Sequence, residues 1–280
     1  MASIVLSALF GATSMGWQVT CAVVALAVGI PHGALDHLVT IPKSHPITMA
    51  FFVMIYVLIA TLSVVAILRF NTVGFMVVLL MSAVHFGIGD AAFINELDRR
   101  TSVTNKLPRF FYAAAAGSAP VLIPLVNSAS TDALSQVNPS LVNWHQGFDQ
   151  QILIGVTFLS IASIVVLILG KRQRDAIDVG LLLFLALVTP PLIAFAVYFG
   201  CWHAMRHTAR LTLTLDSSQR AYTENNLSKA FSSAVLPGVP ALVGTFVIAG
   251  LLSLTETNFS DNFLWMSLVV VWALTVPHMV

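Results

Sequence analysis

Long runs of apolar residues, separated by short polar segments, dominate the pattern of this chain. A helix needs about 20 apolar residues to cross the hydrocarbon core of a bilayer. Stretches of about this length lie at roughly 17–39, 47–69, 72–94, 108–127, 149–170, 191–214, 231–255 and 261–280. The pattern therefore predicts an all-α fold, a polytopic integral membrane helical bundle.

Two shorter apolar segments leave the number of transmembrane helices at eight or nine. Residues 176–190 end at Pro190-Pro191 and predict either a short span or a re-entrant piece. Residues 2–15 either extend the first helix or form a half-helix before it. Because no repeat, low-complexity tract or linker interrupts the chain, we expect residues 1–280 to form a single transmembrane helical domain.

The basic residues predict the orientation of the bundle. Eleven of the thirteen Lys and Arg residues lie in or beside four polar segments, whereas the loops near 128–148 and 256–260 carry none. Loops rich in Lys and Arg stay on the cytoplasmic side. Nine spans with the N-terminus outside would put all the basic loops inside, unless residues 2–15 add a crossing. The eleven residues are Lys43, Arg99, Arg100, Lys106, Arg109, Lys171, Arg172, Arg174, Arg210, Arg220 and Lys229.

Composition narrows the class of protein further. Only 9% of the residues are charged, against about 25% in a soluble domain, so we expect a multi-pass protein of the inner (plasma) membrane with the lipid bilayer as its surroundings. No basic stripe suggests a nucleic-acid surface, and no nucleic-acid partner is expected. Cys21 and Cys201 form no CxxC signature. No charged segment typical of a cleaved signal peptide precedes the first apolar stretch, so we expect that stretch to remain in the mature protein.

Most of the eight histidines lie inside the apolar stretches, in PHGALDH (31–37), HFGIGD (85–90), CWHAMRH (201–207) and VPHM (276–279). An ionisable side chain is costly in hydrocarbon and therefore indicates function, and imidazole is a common metal ligand. A helix rises 1.5 Å per residue. Counting residues back along each helix from the basic loop that follows it predicts that five of the histidines lie at similar depths in the membrane. Their convergence predicts one metal site toward the cytoplasmic leaflet. The five are His32, His85, His203, His207 and His278.

Four of these histidines are candidate metal ligands: His32, His85, His203 and His207. His203 and His207 are four residues apart and share a helix face, although packing near the membrane interface is the alternative for such a pair. Four neutral imidazoles would suit Fe(II), Zn(II) or Cu. On an octahedral ion they would leave positions open for O₂. The absence of an HExxH motif argues against an intramembrane zinc protease.

Polar neighbours are candidates to orient these ligands. Asp36 lies four residues after His32 and can accept the second ring N–H of that histidine. Asp90, in the second histidine segment, either supports a ligand or caps a helix at the interface. His37 and His278 either support the site or are polar residues near helix ends.

Aromatic residues near the histidines are candidates to line a tunnel for a flat, apolar substrate, with ordinary helix packing as the alternative. They are Phe86, Tyr198, Phe199, Trp202 and Trp272. Gly87 and Gly89 allow either a bend or the close approach of a neighbouring helix. We interpret Arg206 as a residue that reaches the cytoplasmic headgroups.

In these four segments, taken in order, the chain resembles the membrane β-carotene 15,15'-dioxygenases of bacteria and archaea, the bacteriorhodopsin-related protein family. The resemblance implies O₂-dependent cleavage of β-carotene at its central double bond into two retinals, at a non-haem Fe(II), with hand-over of retinal to a rhodopsin. It implies the iron ligands His32, His85, His203 and His207, with Asp36 and Asp90 as acidic partners. At Val280 the chain departs from the family pattern, since no polar flank follows VPHM.

Two other classes of protein also place histidines in membrane helices. A b-type haem electron carrier uses histidines from pairs of helices and shows a Soret absorption band when purified. A metal or proton transporter also buries His and Asp, but it is expected to carry ionisable groups through the whole bilayer. Here the ionisable groups cluster at one predicted depth, which favours a single site.

Overall fold

The computed structural model of the protein describes residues 15–35, 46–254 and 259–279. These residues form helices joined by short connections, without a strand among them, so the predicted all-α fold is confirmed for this part of the chain. In chain order the helices are α1 (Met15–Gly33), α2 (Pro46–Arg69), α3 (Asn71–Thr101), α4 (Arg109–Val126), α5 (Ala129–Val137), α6 (Asp149–Leu169), α7 (Gln173–Val188), α8 (Pro191–Ala196), a π-helix (Val197–His203), α9 (Ala204–Thr214), α10 (Asp216–Thr223), α11 (Leu227–Val235), α12 (Val239–Ser253) and α13 (Phe259–Met279).

The long apolar stretches predicted from the sequence correspond to helices. Five helical segments among the described residues are long and apolar enough to cross a membrane, and two further apolar helices are shorter. A multi-pass membrane protein is the architecture that these helices support, while the count of eight or nine crossings stays a prediction. The five are Pro46–Arg69, Asn71–Thr101, Arg109–Val126, Asp149–Leu169 and Leu227–Ser253; the shorter two are Gly16–Ile30 and Phe263–Met279.

The structure adds detail that the apolar pattern did not contain. The stretch 191–214 is not one regular helix, because the π-helix interrupts it. The predicted loop at 128–148 contains α5 and a single 3₁₀ turn. The short stretch 176–190 lies mostly within α7, and of residues 2–15 only Met15 lies inside the described part of the chain.

The chain divides into two compact units. Unit 1 comprises Met1–Leu26, Leu79–Leu134 and Val142–His203, and unit 2 comprises Ala27–Val78, Ser135–Leu141 and Ala204–Val280. The single domain predicted for residues 1–280 stays a prediction. Each unit has its own core, and the two are described separately below.

In unit 1, α4 packs against both α6 and α7. The middle of α4 is rich in Ala and Gly, and small residues let membrane helices approach closely. The Ser163 hydroxyl of α6 donates a hydrogen bond of 2.9 Å to the Phe111 carbonyl of α4. The core of these helices is formed by buried residues that include Tyr112, Ala115, Ala116, Leu167, Val179, Leu182 and Tyr198.

Glycines bring the α3 and α4 backbones into direct contact in unit 1. A Cβ atom added at Gly87 would collide with the carbonyl oxygen of Ala113, and one added at Gly117 would collide with the carbonyl oxygen of Ala83. The close approach predicted for Gly87 is therefore confirmed. Because each glycine faces backbone rather than a movable side chain, the crossing fixes the part of α3 that carries His85.

Buried charges join the ends of α3 and α7 in unit 1. The Arg172 guanidinium donates to both carboxylate oxygens of Asp98 at 2.8 and 3.2 Å, to the Asn105 carbonyl at 3.0 Å, and to Asp175. Burial lowers the pKa of Arg172, but the hydrogen bonds to Asp98 and Asp175 outweigh burial and raise the pKa above its ordinary value. Arg172 therefore stays charged and connects the two helix ends.

In unit 2, the Tyr56 hydroxyl of α2 donates to the Leu274 carbonyl of α13 at 2.8 Å. Helix α13 also packs against α12, and α9, α10 and α11 pack against one another. A small apolar cluster of Leu35, Leu215 and Ala234 buries the end of the first described segment against these helices.

Candidate functional site

The π-helix at Val197–His203 positions one of the predicted ligands. The preceding helix α8 begins with Pro191 in its first turn, where proline is favoured because the missing N–H needs no partner. Within the π-helix, Gly200 lies against α1, and a Cβ added there would come within 3.0 Å of the Ala25 Cβ. Segments of π-helix are rare and often mark functional sites, and this one ends at His203.

Two of the four predicted ligands lie side by side in unit 1. The ring centroids of His85 on α3 and His203 are 5.8 Å apart. The side chain of His203 is fully buried, and His85 is half-buried. The proximity of two imidazoles that are 118 positions apart in the sequence is the first feature expected of a shared site.

Asp90 is the acidic group of this site. Its side chain is 0% exposed, and its Oδ1 lies 3.6 Å from the Nδ1 of His203. The Tyr198 hydroxyl donates to its other oxygen, Oδ2, at 3.3 Å. A carboxylate in an apolar interior is costly unless neighbouring donors compensate it, so its placement beside the His203 ring points to a role in the site.

Aromatic rings surround His203 on several sides. The Phe86 ring centroid is 4.4 Å from that of His203, and the Phe199 ring stacks on His203 at 6.4 Å. Tyr198 lies 6.3 Å away on the same measure. The fourth predicted tunnel residue of this unit, Trp202, is partly buried and packs against the unit 1 core. These contacts bring four of the five predicted aromatic residues into one unit with His203.

Unit 2 contains the remaining predicted residues that the structure describes. His207 is a half-buried residue of α9, and His32 belongs to α1, although only its backbone is described. The His278 ring of α13 lies against α1, because a Cβ added at Gly33 would be 3.4 Å from it. The fifth predicted tunnel residue, Trp272, packs its ring on Phe75 and Trp265, with centroids 5.2 and 5.9 Å away. Two predicted supporting residues lie outside the described residues, namely Asp36 and His37.

The chemistry of the donor set fits a metal ion with nitrogen ligands. Imidazoles suit iron, zinc and copper, and metal-bound histidines commonly direct their second ring nitrogen at a carboxylate. His85, His203 and Asp90 supply this combination. The fit is therefore one of residue types, because among the side chains that the structure describes no group of three His, Cys, Asp or Glu residues is arranged to hold a metal ion.

Two features of unit 1 were not predicted from the sequence. The contact between Tyr198 and Asp90 depends on the π-helix, and no local sequence signal marked that helix. The buried cluster around Arg172 was also missed, because its basic residue lies in a polar segment like any other loop cation.

Comparison with known proteins gives a family for the chain. The family model described as beta-carotene 15,15'-dioxygenase matches residues 23–280. The chain is 26% identical over 268 residues to a beta-carotene 15,15'-dioxygenase of uncultured marine bacterium 66A03, an alignment that covers 90% of this chain and 88% of that protein. It is 24% identical over 277 residues to the probable beta-carotene 15,15'-dioxygenase Blh of Halobacterium salinarum, with 91% and 80% covered.

No solved structure matches the chain. The family match covers most of the sequence, including all four histidine segments. The chain therefore belongs to the beta-carotene 15,15'-dioxygenase family.

Proposed function

We propose that this protein cleaves β-carotene at its central double bond with O₂ and releases two molecules of retinal. The observation that carries the proposal is the group formed by half-buried His85 with fully buried His203 and Asp90, in a chain that belongs to this family. An apolar protein is suited to this substrate, since a carotenoid dissolves in lipid. The reaction balances without a reductant, because the broken double bond supplies the electrons that reduce one O₂ and each of its two carbons becomes an aldehyde carbon.

The proposed cofactor is a single Fe(II) held by His32, His85, His203 and His207. When bound, the iron would supply the site at which O₂ binds and becomes reactive. His85 and His203 would contribute imidazole nitrogens from two neighbouring elements of unit 1. Asp90, beside the Nδ1 of His203, would hold that ring in a fixed orientation with its Nε2 directed at the metal.

The aromatic side chains around His203 would hold the polyene. Phe86 and Phe199 present flat apolar faces next to the His203 ring, and such surfaces exclude water from the reacting carbons. Cleavage at the centre requires the distance from the end ring to the reacting bond to be fixed, which an apolar tunnel between the His-bearing helices would achieve. We place the protein in the plasma membrane, with the site toward the cytoplasmic leaflet and retinal passed on to a rhodopsin.

Production of the chain in bacterial cells that accumulate β-carotene tests this function. We expect cells that produce it to lose their orange colour and to gain retinal, measured by chromatography of pigment extracts. Cells that carry the empty vector should keep their β-carotene. Cells held without O₂ should also keep it, because O₂ is the oxidant of the proposed reaction.

The product and the absorption spectrum decide between this function and the alternatives. Persistent β-carotene in aerated cells, or shorter apocarotenals in place of retinal, would overturn the proposed central cleavage. A Soret band in the purified protein would indicate a haem carrier instead of a non-haem iron enzyme. Retinal formation together with iron, and without such a band, would support the proposal.

A further inference from the structure

Three polar side chains form a continuous buried chain in unit 1. The Tyr198 hydroxyl donates to Asp90 Oδ2 at 3.3 Å, and Asp90 Oδ1 lies 3.6 Å from His203 Nδ1. Tyr198 is 1% exposed, and the other two side chains are 0% exposed. Water therefore has little access to any of the three, and each contact in the chain counts toward compensating the buried carboxylate.

The π-helix explains how Tyr198 and His203 reach the same carboxylate. They are five positions apart, which in an α-helix of 3.6 residues per turn places side chains about 140° away from each other. In a π-helix the hydrogen bonds run between residues five apart, so residues at this spacing lie on the same face of the helix. Both side chains therefore face Asp90 on α3, where Phe86, one helical turn earlier, packs on the His203 ring.

The two oxygens of the Asp90 carboxylate make different contacts, one with Tyr198 and one with His203. With Oδ2 accepting from Tyr198, Oδ1 is turned toward the His203 Nδ1. The 3.6 Å separation is longer than a hydrogen bond, and such contacts commonly shorten when a site is loaded. A carboxylate at Nδ1 favours the tautomer that carries its proton there, which leaves the Nε2 lone pair for a metal.

We propose that Tyr198 is a positioning residue of the metal site, which acts through Asp90 to fix the orientation and tautomer of His203. This inference rests on the proposed function, since it takes His203 as a metal ligand. It gives Tyr198 a different task from the wall of a substrate tunnel predicted from the sequence. The ring of Tyr198 packs on Phe86, while its hydroxyl serves the carboxylate.

Tyr198→Phe tests the inference, because it removes the hydroxyl and keeps the ring. The full-length protein would be purified in detergent without metal and titrated with Co(II), whose visible absorption reports ligand geometry. We expect an affinity about tenfold weaker than that of the wild type, as is typical when a contact that supports a ligand is lost, and a changed Co(II) spectrum. Tyr56→Phe is the matched control, since it removes a hydroxyl that bonds to the Leu274 carbonyl in unit 2.

Asp90→Asn and the double variant show whether Tyr198 acts through the carboxylate. If it does, Asp90→Asn should weaken Co(II) binding too, and adding Tyr198→Phe should weaken it little further, because residues of one network are not additive. Thermal unfolding of the metal-free protein separates positioning from folding. Tyr198→Phe should still unfold cooperatively above the temperature of the titration, so that its weaker Co(II) binding is not a loss of folded protein.

Other outcomes would overturn the inference. Unchanged Co(II) affinity in Tyr198→Phe, or full additivity with Asp90→Asn, would remove Tyr198 from the site and leave the proposed function standing. Wild-type protein that binds neither Co(II) nor Fe(II) would overturn the iron site and the role of Tyr198 together. If Tyr198→Phe does not fold, ¹⁵N shifts of labelled histidines in the wild type, with His203 identified by loss in His203→Ala, must show a proton on Nδ1; a proton on Nε2 would contradict the proposal.

Discussion

His203 is the residue on which the proposed iron site depends most. It is fully buried, it lies next to His85, and its ring is flanked by a carboxylate and by aromatic faces. These contacts leave the ring little freedom to turn, so a ligand at this position is already oriented before a metal binds.

We expect His203→Ala to abolish retinal formation and to lower iron affinity by more than about 100-fold, the upper end of what loss of a supporting contact alone causes. Iron content of the purified protein and retinal from the carotene-producing cells are the measurements. His145→Ala is the matched control, because His145 lies outside the site, near Asp149 in a connection between helices. Near-normal iron and activity in His203→Ala would contradict the ligand assignment.

The sequence could indicate these residues only in part. His85, Asp90 and His203 were predictable because each is an ionisable group within an apolar stretch, where it has a high cost. Tyr198 was predicted only as an aromatic wall, since its alignment with His203 exists in a π-helix and not in an α-helix. The ligand roles of His32, His85, His203 and His207 and the supporting roles of Asp36, Asp90, His37 and His278 all stay predictions.

At the scale of helices, the crossing of α3 and α4 holds the site in place. Gly87 is two residues from His85 and three from Asp90, and it lies against the Ala113 backbone. Any side chain at this position must separate the two helices, and α3 would carry both site residues with it. The glycine therefore affects stability and site geometry together.

Gly87→Ala should lower the thermal unfolding midpoint and reduce retinal formation strongly, since overpacking costs about 1–3 kcal/mol and here the obstacle is backbone. Gly155→Ala is the matched control, because a Cβ there meets nothing within 4 Å. In a helix, alanine is favoured over glycine by roughly 0.5–1 kcal/mol, so the control should be as stable as the wild type or more stable. Equal behaviour of the two variants would show that the α3–α4 contact is looser than described.

Helix prediction succeeded where length and apolar content decide it. The long helices α2, α3, α4 and α6 begin and end close to the predicted apolar stretches, apart from the polar C-terminal end of α3. The short helices α5 and α10 were missed, because they are polar and too short to appear as apolar stretches. The interruption of 191–214 was missed because a stretch of apolar residues looks the same in sequence whether it forms an α-helix or a π-helix.

At the scale of the whole molecule, the orientation in the membrane stays a prediction from the basic residues. Reporter fusions to the full-length chain would test it. A reporter that is active only in the cytoplasm should be active when it is inserted near residue 103 or residue 225. A reporter that is active only outside the cytoplasm should be active when it is inserted near residue 146, in a segment without Lys or Arg. Activity of all three insertions on the same side would contradict the predicted orientation and the depth assigned to the histidines.

The distance along the chain between the members of the buried polar group has a consequence for how the protein is made. Asp90 precedes its partner Tyr198 by 108 residues. Ribosomes add about 5–20 residues per second, so roughly 5–20 s pass between the synthesis of the two residues. If α3 enters the membrane during that time, it does so with an acidic residue whose hydroxyl partner has not yet been made. We therefore expect the stable insertion of α3 to depend on segments that follow it, and a ribosome that stalls before residue 197 should leave Asp90 without the Tyr198 hydroxyl.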